Sequence, residues 1–401
     1  MKNNIVDSLS LRNCTSCGVC ASVCSTKAIR MDYDADGFYR PMVDESKCVE
    51  CGLCKRSCYK YDDSFVMSDD IKACYAVWNK DADQLAKSSS GGVSRLLMEE
   101  SIAKGYKVFG CTYDLEHNKA KSIVVSTVDD LDKFYGSKYF QSYTIKGFEE
   151  ILKDSSEQKY AIFGTPCQIY AFSKTNKYKR MPHKYLLVDI FCHGCPSVKL
   201  WNTYRRQHEQ KFNVEKFDNI AFRSKTYGWH EYSIDFFVEN QKHSSKKISD
   251  PFFGLFFGAD IMNDACYDCK ARSTMAYADI RIGDFWGTKY EMNNKGVSAV
   301  IVKSELGKSF ITAIAEKVEM EAADFKTIIA AQSYGKVVRH DERRRAFLLQ
   351  ALGSGSDIKS VYAKYCKMLP MKRRVKMQLK AFVKLLPPAL YFPIRKLLHS
   401  I

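Results

Sequence analysis

The chain has 401 residues, 46% of them hydrophobic, which suits two or three domains with real cores and excludes a disordered or fibrous chain. A formal net charge of +16 admits nucleic acid, a membrane surface or an acidic protein as partner. From Val361 onward there are Lys and Arg residues but no Asp or Glu, so most of the excess belongs to the tail, which argues against the basic stripe of a nucleic-acid-binding body.

The opening MKNNIVDSLSLRN is polar and carries no secretory leader, so a reducing, cytoplasmic setting is expected. Eight of the sixteen cysteines then form two copies of C-x2-C-x2-C-x3-C: Cys14, Cys17, Cys20 and Cys24, and Cys48, Cys51, Cys54 and Cys58. This is close to the spacing of two-cluster ferredoxins, in which three near thiolates hold one iron–sulfur cube and the fourth reaches the other. The expected sets are Cys14, Cys17, Cys20 and Cys58 for one [4Fe-4S] cluster and Cys48, Cys51, Cys54 and Cys24 for the second. Ser25 and Tyr59 stand where proline usually follows such runs; proline is no ligand, so ligation holds while the cluster environment differs. Zinc fits less well, since structural zinc sites usually draw on separated cysteine pairs. Between the runs, Asp36-Gly37 amid strand-like residues predicts a hairpin. The acidic stretch YKYDDSFVMSDD reads as a linker that closes a first domain at 1–66.

Beyond it, ACYAVWN predicts a strand, and the helical spacing of Val93, Leu96, Leu97, Ile102 and Ala103 a helix that Gly91 and Gly92 open. KVFGCTYD and KSIVVSTV predict strands, followed by a loop with Gly136, Ser137, Lys138 and Tyr139. A second alternation follows: YAIFGTPCQIYAF as strand, turn and helix start, KYLLVDIFCHGCPS as a strand ending in cysteines, FDNIAFRSKTYGWHEYSIDFFVEN as a hairpin pair, then strands in ADIRIGDFWG and VSAVIVKS. Alternating strands and helices predict an α/β body, taken as 67–155 and 156–345, with ligands at strand ends. PFFGLFFGA at 251–259 is too short to span a bilayer and reads as a core or interfacial segment.

Ser88, Ser89, Ser90, Gly91 and Gly92 at a helix start suit a phosphate, since free amides and the helix dipole meet there; a plain helix cap reads similarly. Gly136, Ser137, Lys138 and Tyr139 add a cation and a ring. Cys167, Cys192, Cys266 and Cys269 at separate turns predict a third cluster if they converge, whereas the spacing Cys192-x2-Cys195 with Cys266-x2-Cys269 equally suits zinc. Cys74, Cys111 and Cys366 read as ordinary thiols. His193 and His230 are candidates for proton delivery, and Lys225 and Trp229 for contact with an acidic or flat group.

FGTPCQI, FCHG, FRSKTYGW, CYDC and ADIRIGDFWG, in this order after the cysteine runs and SSSGG…GSKY, resemble the coenzyme F-420 hydrogenase/dehydrogenase beta subunit family, polysaccharide-biosynthesis-associated type, from about Leu11 to about Lys303. The resemblance implies an iron–sulfur flavoprotein oxidoreductase. Its FAD would touch Ser90, Gly91, Gly92, Gly136, Ser137, Lys138 and Tyr139, with Gly164 and Thr165 nearby. Its extra cluster would fall on Cys167, Cys192, Cys266 and Cys269, favouring the third cluster over zinc; Cys195 departs from the family pattern and leaves the fourth ligand between Cys167 and Cys195. Nothing in the sequence supports a coenzyme F-420 pocket.

The tail, 346–401, mixes basic and apolar residues and reads either as a peripheral contact at the inner membrane face or as a helix packed on the body. The expected architecture is thus a ferredoxin-like α+β domain with two [4Fe-4S] clusters, an α/β flavin-binding body and a basic helical tail. The expected activity passes electrons between a ferredoxin or other redox partner and FAD, with His193 and Lys225 as catalytic candidates and a small molecule or glycan precursor as substrate. An electron-transfer adaptor without its own substrate is the main alternative, and a zinc-stabilised nucleic-acid-binding protein a third.

Overall fold

The computed structural model describes residues 3–6, 11–61, 65–179 and 185–383. The first domain is built around a hairpin, β1 (Ile29–Tyr33) paired antiparallel with β2 (Tyr39–Val43) across the Asp36-Gly37 turn. Two short helices, Val19–Ser22 and Leu53–Ser57, carry Cys20 and Cys54 inward. The linker docks instead of hanging free: the Val66 amide donates to the Tyr277 hydroxyl at 2.6 Å and the Ser68 amide to Thr274 Oγ1 at 3.0 Å. Residues 62–64 of that linker lie outside the described residues.

The body contains β3 (Ala73–Asn79), β4 (Tyr106–Asp114), β5 (Lys119–Val125), β6 (Ser142–Tyr143), β7 (Lys159–Gly164), β8 (Tyr185–Ile190), β9 (Asn219–Ser224), β10 (Ser233–Val238), β11 (Gln241–Ser244), β12 (Ile280–Asp284), β13 (Ser298–Val302) and β14 (Val318–Ala322). Nine of them form one mixed sheet in the order β14-β3-β13-β12-β8-β7-β4-β5-β6. Neighbours β12, β8, β7 and β4 run parallel, while β13, β3 and β14 add on antiparallel.

Period-two alternation lets both sheet faces bury apolar side chains. On β7, Ala161 and Phe163 face the side covered by helices Val93–Ala103 and Glu305–Ala313; Tyr160 and Ile162 face helices Ile145–Lys153 and Pro166–Lys179. The cysteine loops leave the carboxyl ends of adjacent parallel strands, Cys167 after β7 and Cys192 and Cys195 after β8, so strand order brings together what the chain separates.

A second core joins the three-stranded sheet β9–β11 to helices Val198–Phe212, Pro251–Gly258, Glu342–Gly353 and Ile358–Met368. This changes the reading of the tail. Leu348, Leu349, Leu352, Ile358, Val361, Tyr365 and Leu369 are buried in that core. In PFFGLFFG, Gly254 and Gly258 stand one helical turn apart and leave room for Tyr362 and Tyr365: a Cβ at either would come within 2.4 Å of the opposing ring or hydroxyl. The chain up to Leu369 is therefore body, and an edge at 346 would cut through a packed helix. Met371–Val383 continues as a helix with exposed Met371, Val375 and Leu379. Residues 384–401, including Pro387, Pro388 and Pro393, lie outside the described residues.

One buried ion pair ties the sheet to the cysteine loops. Arg281 on β12, 1% exposed, pairs in register with Asp189 on β8 and grips both carboxylate oxygens, at 2.7 and 2.5 Å. The same guanidinium donates to the carbonyl of Arg272 at 3.0 Å. Removing one partner of such a pair strands the other's charge, so Arg281→Met should lower stability by about 3–5 kcal/mol. The double variant Asp189→Leu/Arg281→Met should lose much less, as read by urea unfolding of the two proteins.

Candidate functional site

The first domain is seated on the body through its cysteine loops. Thr144 Oγ1 donates to the Cys17 carbonyl at 2.7 Å, Asn263 Nδ2 to the Cys14 carbonyl at 3.0 Å and Lys174 Nζ to the Cys58 carbonyl at 3.0 Å. Cys14, Cys17, Cys20 and Cys58 lie together. Burial lifts each thiol; Cys17, Cys14 and Cys58 raise Cys20 further, and Cys17 and Cys14 raise Cys58, which reaches about 12. Cys54 is raised by burial and by Cys51, which is exposed; Cys24 packs beside Cys20 and Cys54, and Cys48 Sγ lies 4.0 Å from Asn4 Nδ2.

The body cysteines form a second gathering. Burial raises the Cys167 thiol first, and Cys269, Cys17 and Cys192 raise it further. Cys17 belongs to the first domain, so the two gatherings adjoin. Cys266 feels Cys192 and Cys269, and Cys195 feels Cys266, Cys192 and Cys167. All five thiols line one cavity of about 380 Å³. Among the described residues no three His, Cys, Asp or Glu side chains converge tightly enough for a single metal ion.

The same cavity extends to Ser88, Ser89, Ser90, Gly92, Gly136, Ser137, Lys138, Gly164 and Thr165. Gly92 caps helix Val93–Ala103, whose Val93, Ser94 and Arg95 also line the wall. Gly136 has φ +79°, and a Cβ there would stand 2.3 Å from the Phe222 carbonyl oxygen, so only glycine lets the loop lie on β9. Lys138 Nζ donates to the Tyr135 carbonyl at 2.8 Å, and burial pulls its pKa down to about 8. Gly91 sits behind the wall against Ser298. Tyr139 turns into the second core, between Tyr232, Phe253 and Phe256.

Three candidates have other work. Lys225 Nζ donates to the carbonyls of Leu85, Ser90 and Lys295, so it braces the serine loop from behind; burial lowers its pKa to about 7. His193 turns away from the cavity toward Phe256, Phe257 and Ser333, and burial, then Arg272, lowers it to about 4. Trp229 is fully buried, donates to Asp284 at 2.6 Å and stacks on Trp286, which reaches the cavity in its place. His230 packs beside both indoles.

Residues 157–327 match the family described as the C terminus of the coenzyme F420 hydrogenase/dehydrogenase beta subunit, and residues 13–60 match the 4Fe-4S dicluster domain. The chain thus carries, at 157–327, the C-terminal domain of that beta-subunit family and, at 13–60, a 4Fe-4S dicluster domain. No curated protein matches the chain as a relative. Among solved structures, the F420-reducing [NiFe] hydrogenase complex of Methanosarcina barkeri, derivatised with xenon, is similar at 17% identity and TM-score 0.47, over 76% of this chain and 94% of that one.

Within the body the cavity has residues that no sequence pattern marks. Arg272 is 3% exposed and Gln141 6%; both line the cavity, and Arg272 Nε and Gln141 Nε2 have no hydrogen-bond partner among the described residues. Arg272 also donates to the carbonyls of His193 and Lys336, fastening the two cysteine loops together. Cys111 lines the cavity beside Lys138 as well as packing on the second core. Neither Arg272 nor Gln141 stands in a spacing pattern; ARS after CYDCK, a buried cation beside cysteines, was the one hint.

The Gly136 loop offers a direct check. Gly105 has a similar φ, +77°, with nothing within 4 Å of a Cβ. Gly105→Ala should lower stability by about 1–2 kcal/mol from backbone strain alone. Gly136→Ala should lower it by about 3 kcal/mol, since a carbonyl must move too. Denaturant midpoints of the two variants measure the difference.

Proposed function

We propose that the protein is an iron–sulfur flavoprotein oxidoreductase in which the body cavity holds a third [4Fe-4S] cluster at its cysteine end and FAD at its serine–glycine end. The observation that carries this reading is the single cavity: the body thiols and the serine and glycine loops share one wall, beside Cys17 of the dicluster domain.

The residues fit both groups. Arg272 Nε and Gln141 Nε2 are buried donors without partners, and each unmet donor is costly unless an acceptor fills the space. Arg272, beside Cys192 and Cys266, suits the net negative charge of a thiolate-bound cluster. The looser grouping of the thiols suits a cube, whose irons each take one thiolate, better than a single ion. Cys167, Cys192, Cys266 and Cys269 are the proposed ligands, Cys167 because it lies between Cys269 and Cys17. The backbone amides at the start of helix Val93–Ala103 would take the pyrophosphate. Clusters carry single electrons, and a flavin joins them into two-electron transfer. The protein's part is to order the thiol sets in sequence, exclude water and place donors. The family describes a subunit, which supports a redox partner that exchanges electrons with the dicluster domain, where Cys51 reaches the surface.

Anaerobically purified protein should contain about twelve irons and one flavin per chain. Cys167→Ala and Cys269→Ala should each lose about four irons, while Cys195→Ala keeps all twelve. A protein with about eight irons and no flavin would overturn the reading.

The helix Met371–Val383 supports a peripheral membrane contact, since its exposed Met371, Val375 and Leu379 are interleaved with Lys372, Arg373, Arg374 and Lys376. A chain ending at Pro370 should then keep its fold and lose binding to vesicles rich in anionic lipid, measured by co-sedimentation.

A further inference from the structure

Tyr59 follows Cys58 directly and stands where two-cluster ferredoxins usually have proline. A proline there would present only aliphatic carbon. Tyr59 instead sends a phenol into the partition between the dicluster domain and the body. The residue is 4% exposed and packs in the core that Cys17 joins from one side and Cys167 and Cys269 from the other. Its ring lies 4.8 Å from that of Tyr170, on the helix that begins next to Cys167, and Tyr170 in turn stacks on Tyr277 at 3.7 Å. The chain on either side is held: Lys174 takes the Cys58 carbonyl, and Tyr277 takes the Val66 amide.

The hydroxyl at the end of this anchored ring has no hydrogen-bond partner among the described residues. A buried phenol oxygen without a partner is unfavourable by about 1–3 kcal/mol, and phenylalanine would fill the same space without it. Tyr59 shares its core with Cys167 and Cys269 as well as Cys17, and a neutral phenol has one proton to donate, so it meets sulfur there as a donor. Sulfurs of an iron–sulfur cluster accept hydrogen bonds, and such bonds favour the reduced, more negative state.

We propose that the Tyr59 hydroxyl donates a hydrogen bond to a sulfur of the group held by Cys167 and Cys269 and so raises the midpoint potential of that group. The proposal rests on the third-cluster reading above. Tyr59 is then a tuning residue of the junction: it sets how readily an electron leaves the first ferredoxin cluster for the body, without being a ligand.

The test is Tyr59→Phe in the full-length, anaerobically purified protein, with iron analysis and a redox titration followed by electron paramagnetic resonance. Cys269→Ala, which should lack the third signal, identifies which midpoint belongs to the body. The expected result is unchanged iron content and a negative shift of the body midpoint alone. A tenfold change in its reduction equilibrium is a shift of about 59 mV. Twelve irons with all midpoints unmoved would overturn the role of Tyr59 and leave the third cluster standing. A shift confined to a ferredoxin cluster would overturn the assignment to the body group. About eight irons in the unmutated protein would overturn the third cluster and this proposal together.

Discussion

Asp189 on β8 and Arg281 on β12 face each other across two parallel strands, both side chains buried and both carboxylate oxygens held by one guanidinium. In a low-dielectric interior such a bidentate pair is strong only while its geometry is kept, so it resists displacement of either strand. Its reach goes beyond the sheet. Arg281 also holds the Arg272 carbonyl, and Arg272 holds that of His193. The loop with Cys192 and Cys195 and the loop with Cys266 and Cys269 are thereby fastened to one point. Thiols that bind a rigid inorganic group need such fixed placement, because loops alone would let them drift.

The seating of the dicluster domain follows the same logic. Its contacts with the body include the backbone carbonyls of Cys14, Cys17 and Cys58, taken by Asn263, Thr144 and Lys174, and those of Asp36 and Gly37 in the hairpin, taken by Ser197 and the Val198 amide. Domains that touch through side chains at a wet surface slide easily. Here the backbone around the ligating residues is part of the interface, so the distance from one thiol set to the next is a property of the fold. The cavity continues that order from Cys167 to the serine loop.

The N-terminal cysteine motif was legible from spacing because ligation by neighbouring residues leaves a local trace; the hairpin at Asp36-Gly37, the strand Ala73–Asn79 and the helix start at Gly92 were legible for the same reason. Single residues outside a pattern were misjudged. Lys225 looked available for a substrate but is filled by three carbonyls, Trp229 is replaced at the cavity by Trp286, and Tyr139 turns inward. The charge of the tail masked the apolar positions Leu348, Leu352, Val361 and Tyr365, which bind it to the body.

The sequence by itself determined the dicluster motif, the alternation of strands and helices, and which loops carry cysteine and glycine, since each depends on residues close along the chain. Only the tertiary structure decided that five thiols from turns as distant along the chain as Cys167 and Cys269 meet at one cavity wall, that Arg272 and Gln141 bring unpartnered donors to it, and that Tyr59 lies between two thiol sets. Those facts come from strand order and domain seating, which are settled by burial and hydrogen bonding over the whole molecule and leave no local signature.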